Sequence, residues 1–196
     1  TSSFSIALLA RHFADPSRVA GLHFFNPVPL MRVVEVISAL RTAPTAIARL
    51  TALVDRIGHT PVLAEDSPGF VVNHIGRAYS TEALRIVSEG IAAPADVDRI
   101  MTEAGGFRMG PFTLFDLTGL DVSQPATESI YRQFFEDPRY RPVPLGSRRV
   151  EAGLLGRKTG EGFYRYDESG NRQVPPERSP VRLDLAGARF WISQQI

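Results

Sequence analysis

The sequence predicts an α/β segment, the end of a larger strand-and-helix domain, followed by a mainly α-helical C-terminal domain. Three observations carry that expectation. Runs rich in β-branched and aromatic residues alternate with helical periods as far as Ala64. A Pro-containing helix-start signal stands at Asp66-Ser67-Pro68. Beyond it, helical patterns split by Gly and Pro continue until a single strand-like run at Gly162–Tyr166. The expected division is therefore 1–65 for the α/β part, 66–166 for the helical domain and 167–196 for a linker and the start of a further segment.

Taken in order, Ser2 or Ser3 can N-cap a short helix over Phe4–Phe13, with apolar residues at Ile6, Leu9 and Phe13. Asp15-Pro16-Ser17 is a turn signal. Val19–Phe25 reads as a largely buried strand that ends at Asn26-Pro27, and Val33–Ile37 as a second strand with Glu35 among apolar neighbours. Thr45–Ile57 has a helical period with Gly58 placed to close it, and Thr60–Ala64 makes a third short strand. The Asp66 or Ser67 cap, with Pro68 at the first helical position, opens a long helix to about Ser88, stopped by Gly90. Ala95–Ala104, Gly119–Phe134 and Pro144–Ala152 read as further helices, and Asp167–Pro180 as a polar, Pro-rich linker.

Composition narrows the functional classes. Lys and Arg number 22 against 21 Asp and Glu, with both signs scattered, so no basic stripe points to nucleic acid. No run approaches the roughly 18 apolar residues that a membrane span requires. The absence of cysteine excludes disulfides, thiolate metal sites and a Cys nucleophile, fits a reducing compartment, and leads to the expectation of a cytoplasmic protein. Thr1-Ser2-Ser3-Phe4 is neither a signal peptide nor a natural start, and reads as a cut inside a longer protein.

Of the four histidines, His23 stands out. A histidine in an apolar strand is more often a satisfied core residue than a catalyst. His23, however, sits where a strand breaks into a loop, the usual place for a reacting group in an α/β sheet. Glu35, in the next strand, needs a partner if it is buried, because an unpaired carboxylate there is costly or takes up a proton. Adjacent strands would bring it to one ring nitrogen of His23, fixing the tautomer so that the other nitrogen takes a proton. Pairing of Glu35 with Arg32 or another arginine is the alternative.

The run Gly21-Leu-His-Phe-Phe-Asn-Pro-Val-Pro-Leu-Met-Arg-Val-Val-Glu-Val-Ile37 resembles the signature of the 3-hydroxyacyl-CoA dehydrogenases nearly residue for residue. In that family the His is the catalytic base and the Glu its partner, which implies those roles for His23 and Glu35. Thr1-Ser-Ser-Phe-Ser-Ile6 is similar to a segment whose first Ser reaches substrate, here Ser2. Asp66-Ser-Pro-Gly-Phe-Val-Val-Asn73 is similar to the segment opening the helical domain, whose Asn is a substrate ligand, here Asn73. Asn73 is expected in the second turn of the long helix. The family commonly has Arg after this Asn, whereas this chain has His74. Ala104–Asp116 and Gly156–Tyr164 resemble two further family motifs, read as turns and helix–helix packing. Asn26, beside His23, is expected to help place a nicotinamide.

The resemblance implies NAD-dependent oxidation of a (3S)-hydroxyacyl-CoA, an acyl-CoA substrate, a place in fatty-acid β-oxidation, and a homodimer formed through the helical domain. The dinucleotide fingerprint Gly-x-Gly-x-x-Gly is nowhere in the 196 residues. NAD is therefore expected to be bound mainly by a segment not in this chain, a Rossmann-like domain of which 1–65 would be the end. Two rival expectations remain. One is a non-catalytic CoA-ester-binding and dimerisation module. The other is a related hydroxy-acid dehydrogenase that uses a lysine base, for which the only lysine is Lys158.

Overall fold

The computed structural model of the chain describes residues 4–25 and 28–173. Its first part is a three-stranded sheet of β1 (Gly21–Phe24), β2 (Val33–Ser38) and β3 (Thr60–Glu65), in that spatial order. β1 runs antiparallel to β2, while β2 and β3 are parallel and joined through helix α2 (Pro44–Arg56). Val34, Glu35, Val36 and Ile37 of the central strand are fully buried. Side chains alternate across a strand, so β2 feeds two separate cores. Val34 and Val36 meet Val54 and, around it, Ile47 and Leu50 of α2. Ile37 meets Ile6 of helix α1 (Ile6–Ala10) and Phe70 on the opposite face. Gly58, at φ +78°, closes α2 as its position predicts.

The start of the chain departs from expectation. α1 is shorter than Phe4–Phe13, and its cap is Ser5, whose Oγ accepts from Leu8 N at 3.2 Å. Ser2 and Ser3 lie outside the described residues. Of the expected apolar face only Ile6 is buried; Leu9 and Phe13 are exposed.

The corner at residues 66–76 differs more. Asp66 does not open the helix that follows it. Its carboxylate reaches back to α1, where Oδ1 accepts from Ile6 N at 2.8 Å and Oδ2 from Ala7 N at 2.7 Å and Ser5 Oγ at 2.9 Å. Pro68 sits in a tight turn closed by Phe70 N donating to Ser67 O at 2.9 Å. Gly69 (φ +80°) and Phe70 (φ +50°) are left-handed, which no helix interior tolerates. Helix therefore begins only at α3 (Val72–Ile75) and bends at Gly76 into α4 (Arg77–Ser88).

The remainder is helical: α5 (Pro94–Arg99) running on through a π-helical turn at Ile100–Ala104, α6 (Pro111–Thr118), α7 (Leu120–Gln133) and α8 (Pro144–Glu151). They enclose a core of Leu84, Val97, Phe112, Phe115, Leu120 and Val143. Most of α6 falls in Ala104–Asp116, a stretch read from sequence as turns and helix–helix packing. The first N–H groups of α6, which have no partner within the helix, are satisfied by another helix: Asp98 Oδ1 accepts from Phe112 N at 2.8 Å and Oδ2 from Thr113 N at 2.9 Å. The strand expected at Gly162–Tyr166 narrows to β4 (Arg165–Tyr166), paired with β5 (Arg172–Gln173). The first residues of the expected linker thus form a hairpin turn, in which Asp167 Oδ1 accepts from Asn171 N at 2.8 Å. No described helix is long and apolar enough to cross a membrane.

Candidate active site

The antiparallel register of β1 and β2 sets His23 directly opposite Glu35. His23 Nδ1 lies 2.6 Å from Glu35 Oε2, a short bond of the charge-assisted kind. His23 is 5% exposed and Glu35 is fully buried. The pairing with Arg32 weighed from sequence is not what the structure shows. The imidazole is flanked by the rings of Phe25, with centroids 4.5 Å apart, and Phe70 at 5.7 Å.

The second oxygen of Glu35 is occupied as well. Oε1 accepts from Val71 N at 2.9 Å and Val72 N at 2.8 Å, the two backbone donors that lead into α3. Burial alone would push the Glu35 carboxyl up, but the hydrogen bonds from His23, Val72 and Val71 outweigh it and hold it below the usual carboxylate range. Glu35 is therefore an ionised group in a dry place, with acceptor capacity directed at the imidazole.

Asn73 follows immediately. It lies in the first turn of the four-residue α3, not in the second turn of a long helix, because the left-handed pair at 69–70 delays the helix start. The residue is half-buried, and no hydrogen bond to its side-chain amide is seen among the described residues. Ser2 and Asn26 lie outside the described residues. The site as described thus brings together His23, Glu35 and the backbone that carries Asn73.

His74 makes no ion pair among the described residues. Its ring packs edge-on against Phe134 and Tyr140, with Nε2 3.3 Å from Tyr140 Oη. Lys158 is ion-paired with Asp121 at 2.5 Å, in the helical part. No cluster of three or more acidic or His side chains able to hold a metal occurs among the described residues. Phe70 and the Val71–Val72 donors are the elements of the site that sequence reading missed. A buried glutamate facing a histidine leaves one carboxylate oxygen to satisfy, and that was the available signal.

Comparison with known proteins gives a consistent answer. A family model described as 3-hydroxyacyl-CoA dehydrogenase, NAD binding domain, matches residues 1–67, and one described as 3-hydroxyacyl-CoA dehydrogenase, C-terminal domain, matches residues 69–166. The chain is 43% identical over 189 residues to a 3-hydroxyadipyl-CoA dehydrogenase of Escherichia coli (strain K12), covering 94% of this chain and 40% of that protein. It is 44% identical over 166 residues to a probable 3-hydroxybutyryl-CoA dehydrogenase of Deinococcus radiodurans, covering 85% of this chain and 59% of that one. Among solved structures, an (S)-3-hydroxybutyryl-CoA dehydrogenase from Ralstonia eutropha superimposes with a TM-score of 0.82 at 43% identity, covering 86% of this chain and 59% of that one. The chain thus spans about 40–59% of the length of these relatives.

Proposed function

This chain belongs to the 3-hydroxyacyl-CoA dehydrogenase family, and from that premise we propose that it carries the base and the substrate side of an NAD-dependent enzyme that oxidises a (3S)-hydroxyacyl-CoA to the 3-ketoacyl-CoA. The observation that carries the proposal is the buried His23–Glu35 pair, with Nδ1 and Oε2 2.6 Å apart. An ionised Glu35 accepts from Nδ1–H and fixes the tautomer in which Nε2 takes the proton of the substrate's C3 hydroxyl. As that proton arrives, the imidazolium is compensated by the carboxylate already in contact with it. In the reverse direction His23 returns the proton to the C3 oxygen.

Ser2 and Asn73 are proposed to bind the reacting oxygen or the thioester carbonyl, and Asn26 to help place the nicotinamide. When bound, NAD supplies the acceptor for the hydride that leaves C3. Among the described residues, the part that would face the cofactor is its nicotinamide end, at the imidazole that lies between Phe25 and Phe70. A strand leading through paired glycines into a helix, which would cradle the pyrophosphate, is absent among the described residues, and the fingerprint is absent from the sequence. The dinucleotide's phosphates are then held by residues not in this chain, with 1–65 contributing the end of the α/β domain, 66–166 the helical domain and 167–196 a linking segment.

The rival lysine-base chemistry loses support, since Lys158 is engaged with Asp121. A homodimer through the helical part is proposed from its exposed Ile75, Ile100, Phe107 and Val122, apolar surface that a second copy would cover. A cytoplasmic location is part of the same proposal.

The test is acetoacetyl-CoA-dependent NADH oxidation by the enzyme that carries this chain together with its dinucleotide-binding segment. His23→Ala should lower kcat by about 10²–10⁴ with a modest change in CoA-ester affinity. Near-normal turnover in that variant would overturn the assignment of His23 as the base, whereas no turnover in the unmutated enzyme would favour a non-catalytic CoA-ester-binding module.

A further inference from the structure

Glu35 has two oxygens, and the reaction uses only one of them. The other accepts from two consecutive backbone N–H groups, Val71 and Val72, at 2.9 and 2.8 Å. A buried carboxylate oxygen must bond to something, and the first N–H groups of a helix need acceptors, so this contact alone would be ordinary structural satisfaction. What makes it more is the place it grips. Asn73 is the next residue, in the same first turn of α3.

The backbone just before the grip is not set by local preference. Gly69 and Phe70 are both left-handed, and a left-handed phenylalanine persists only where its surroundings hold it. Phe70 is buried, in the same apolar cluster as Ile6 and Ile37, with its ring beside His23. Two attachments therefore bind this corner to the sheet face that carries the base, the Phe70 side chain and the Glu35 carboxylate. Only the Glu35 contact also touches His23 by hydrogen bond.

We propose that Glu35 is a positioning residue for Asn73 as well as for His23, one carboxylate setting the separation between the base and the Asn that binds the substrate oxygen. This rests on the proposed roles of His23 and Asn73. A hydroxyl that must meet both groups at once tolerates little error, and a misplacement of about 1 Å can lower a rate about 100-fold. The link bridges residues 36 and 37 positions apart in sequence and joins the strand of the base's partner to the first turn of α3.

The experiment separates the two oxygens in the enzyme that carries this chain. Val72→Pro removes one donor at the first residue of α3, but Val71 before it is αR, which a following proline disfavours, so this variant also disturbs the Val71 donor. A backbone ester at position 72 therefore serves as the second variant, deleting the N–H and keeping the side chain. Either change should lower kcat/KM about 10- to 100-fold while the pH profile of kcat keeps its shape. In the Asn73→Ala background the same change should have little further effect, because the clamp acts through Asn73. Full additivity with Asn73→Ala in both variants would overturn the proposal and leave the contact purely structural. Near-normal turnover in His23→Ala would instead overturn the reading it rests on, and the two failures are told apart by which variant is silent.

Discussion

Two buried carboxylates in this chain are built alike and behave oppositely. Glu35, in the sheet, and Asp116, in helix α6, are each almost wholly inaccessible, and each accepts from two consecutive backbone N–H groups. For Glu35 these are Val71 and Val72; for Asp116 they are Phe163 and Tyr164, both at 2.8 Å. The third partner differs. Glu35 has the imidazole of His23 at 2.6 Å, whereas Asp116 has the neutral hydroxyl of Tyr166 at 3.1 Å. Burial pushes the Asp116 carboxyl above its usual range despite those bonds, and the same burial pushes the Tyr166 hydroxyl up beside it. Glu35 is driven the other way. Two backbone donors are therefore enough to anchor a loop. The charge of Arg149 also lowers the Asp116 carboxyl and does not overcome its burial, whereas the ring of His23 is bonded directly to Glu35; it is this direct bond to an ionisable partner that goes with the lowered carboxyl.

The sharpest way to break this contrast is to delete each carboxylate. Glu35→Ala should lower kcat by about 10²–10⁴, since the imidazole loses both its tautomer and its counter-charge. Asp116→Ala should instead act on stability, by about 2–6 kcal/mol for two buried donors left unmet at about 1–3 each. Activity assays beside urea unfolding decide it; if Asp116→Ala slowed the folded enzyme as Glu35→Ala does, the distinction would fail.

Glycine substitutions probe the packing of the same two places at a smaller scale. A Cβ at Gly162 would collide with the Asp116 carboxylate, so Gly162→Ala should lower stability by about 1–3 kcal/mol through overpacking. At the other corner, Gly69 has φ +80° and a Cβ there would lie 3.0 Å from His74 N and from Ile130 Cδ1. Gly69→Ala should cost about 1–2 kcal/mol for the left-handed backbone and, unlike Gly162→Ala, should also raise KM by shifting Asn73. Thermal unfolding with parallel kinetics measures both; an unchanged KM in folded Gly69→Ala would detach this corner from substrate binding.

How far the sequence shows this depends on the range over which each element is determined. The His23–Glu35 pair is legible because two strands joined by a short loop impose a register, and residues 12 apart then face each other. The strands and α2 are legible for the same local reason. The corner at 66–72 is not. Asp66-Ser67-Pro68 carries every local sign of a helix start, yet Asp66 is engaged by α1, some 60 positions earlier, and Phe70 adopts a backbone that its residue type disfavours. α6 is hidden similarly, because the carboxylate satisfying its first turn belongs to Asp98 of another helix. Asp116 reads as one polar residue in an apolar motif until the Gly156–Tyr164 segment is folded onto it. In each case the missing information is a carboxylate reaching a backbone donor far along the chain.

Acid should pull the two corners apart without any mutation. The Glu35 carboxyl is lowered in the fold, so its contribution is present above the ordinary unfolded value of about 4.3 and is lost as pH falls through the folded value. The Asp116 carboxyl is raised, so its favourable contribution is full below the unfolded value of about 3.9 and declines as pH rises through the folded one. Lowering the pH from neutrality therefore first protonates Asp116, which relieves the buried charge, and only later Glu35, which breaks the pair with His23. Carboxyl carbon shifts followed by NMR should give a titration midpoint for Asp116 above that of a free aspartate and for Glu35 below that of a free glutamate. Amide exchange, corrected for its intrinsic pH dependence, should show protection at Val71 and Val72 failing under acid conditions that leave Phe163 and Tyr164 protected. If the two midpoints came in the reverse order, the imidazole would not be what holds Glu35 ionised, and its role as the companion of a base would lose its electrostatic ground.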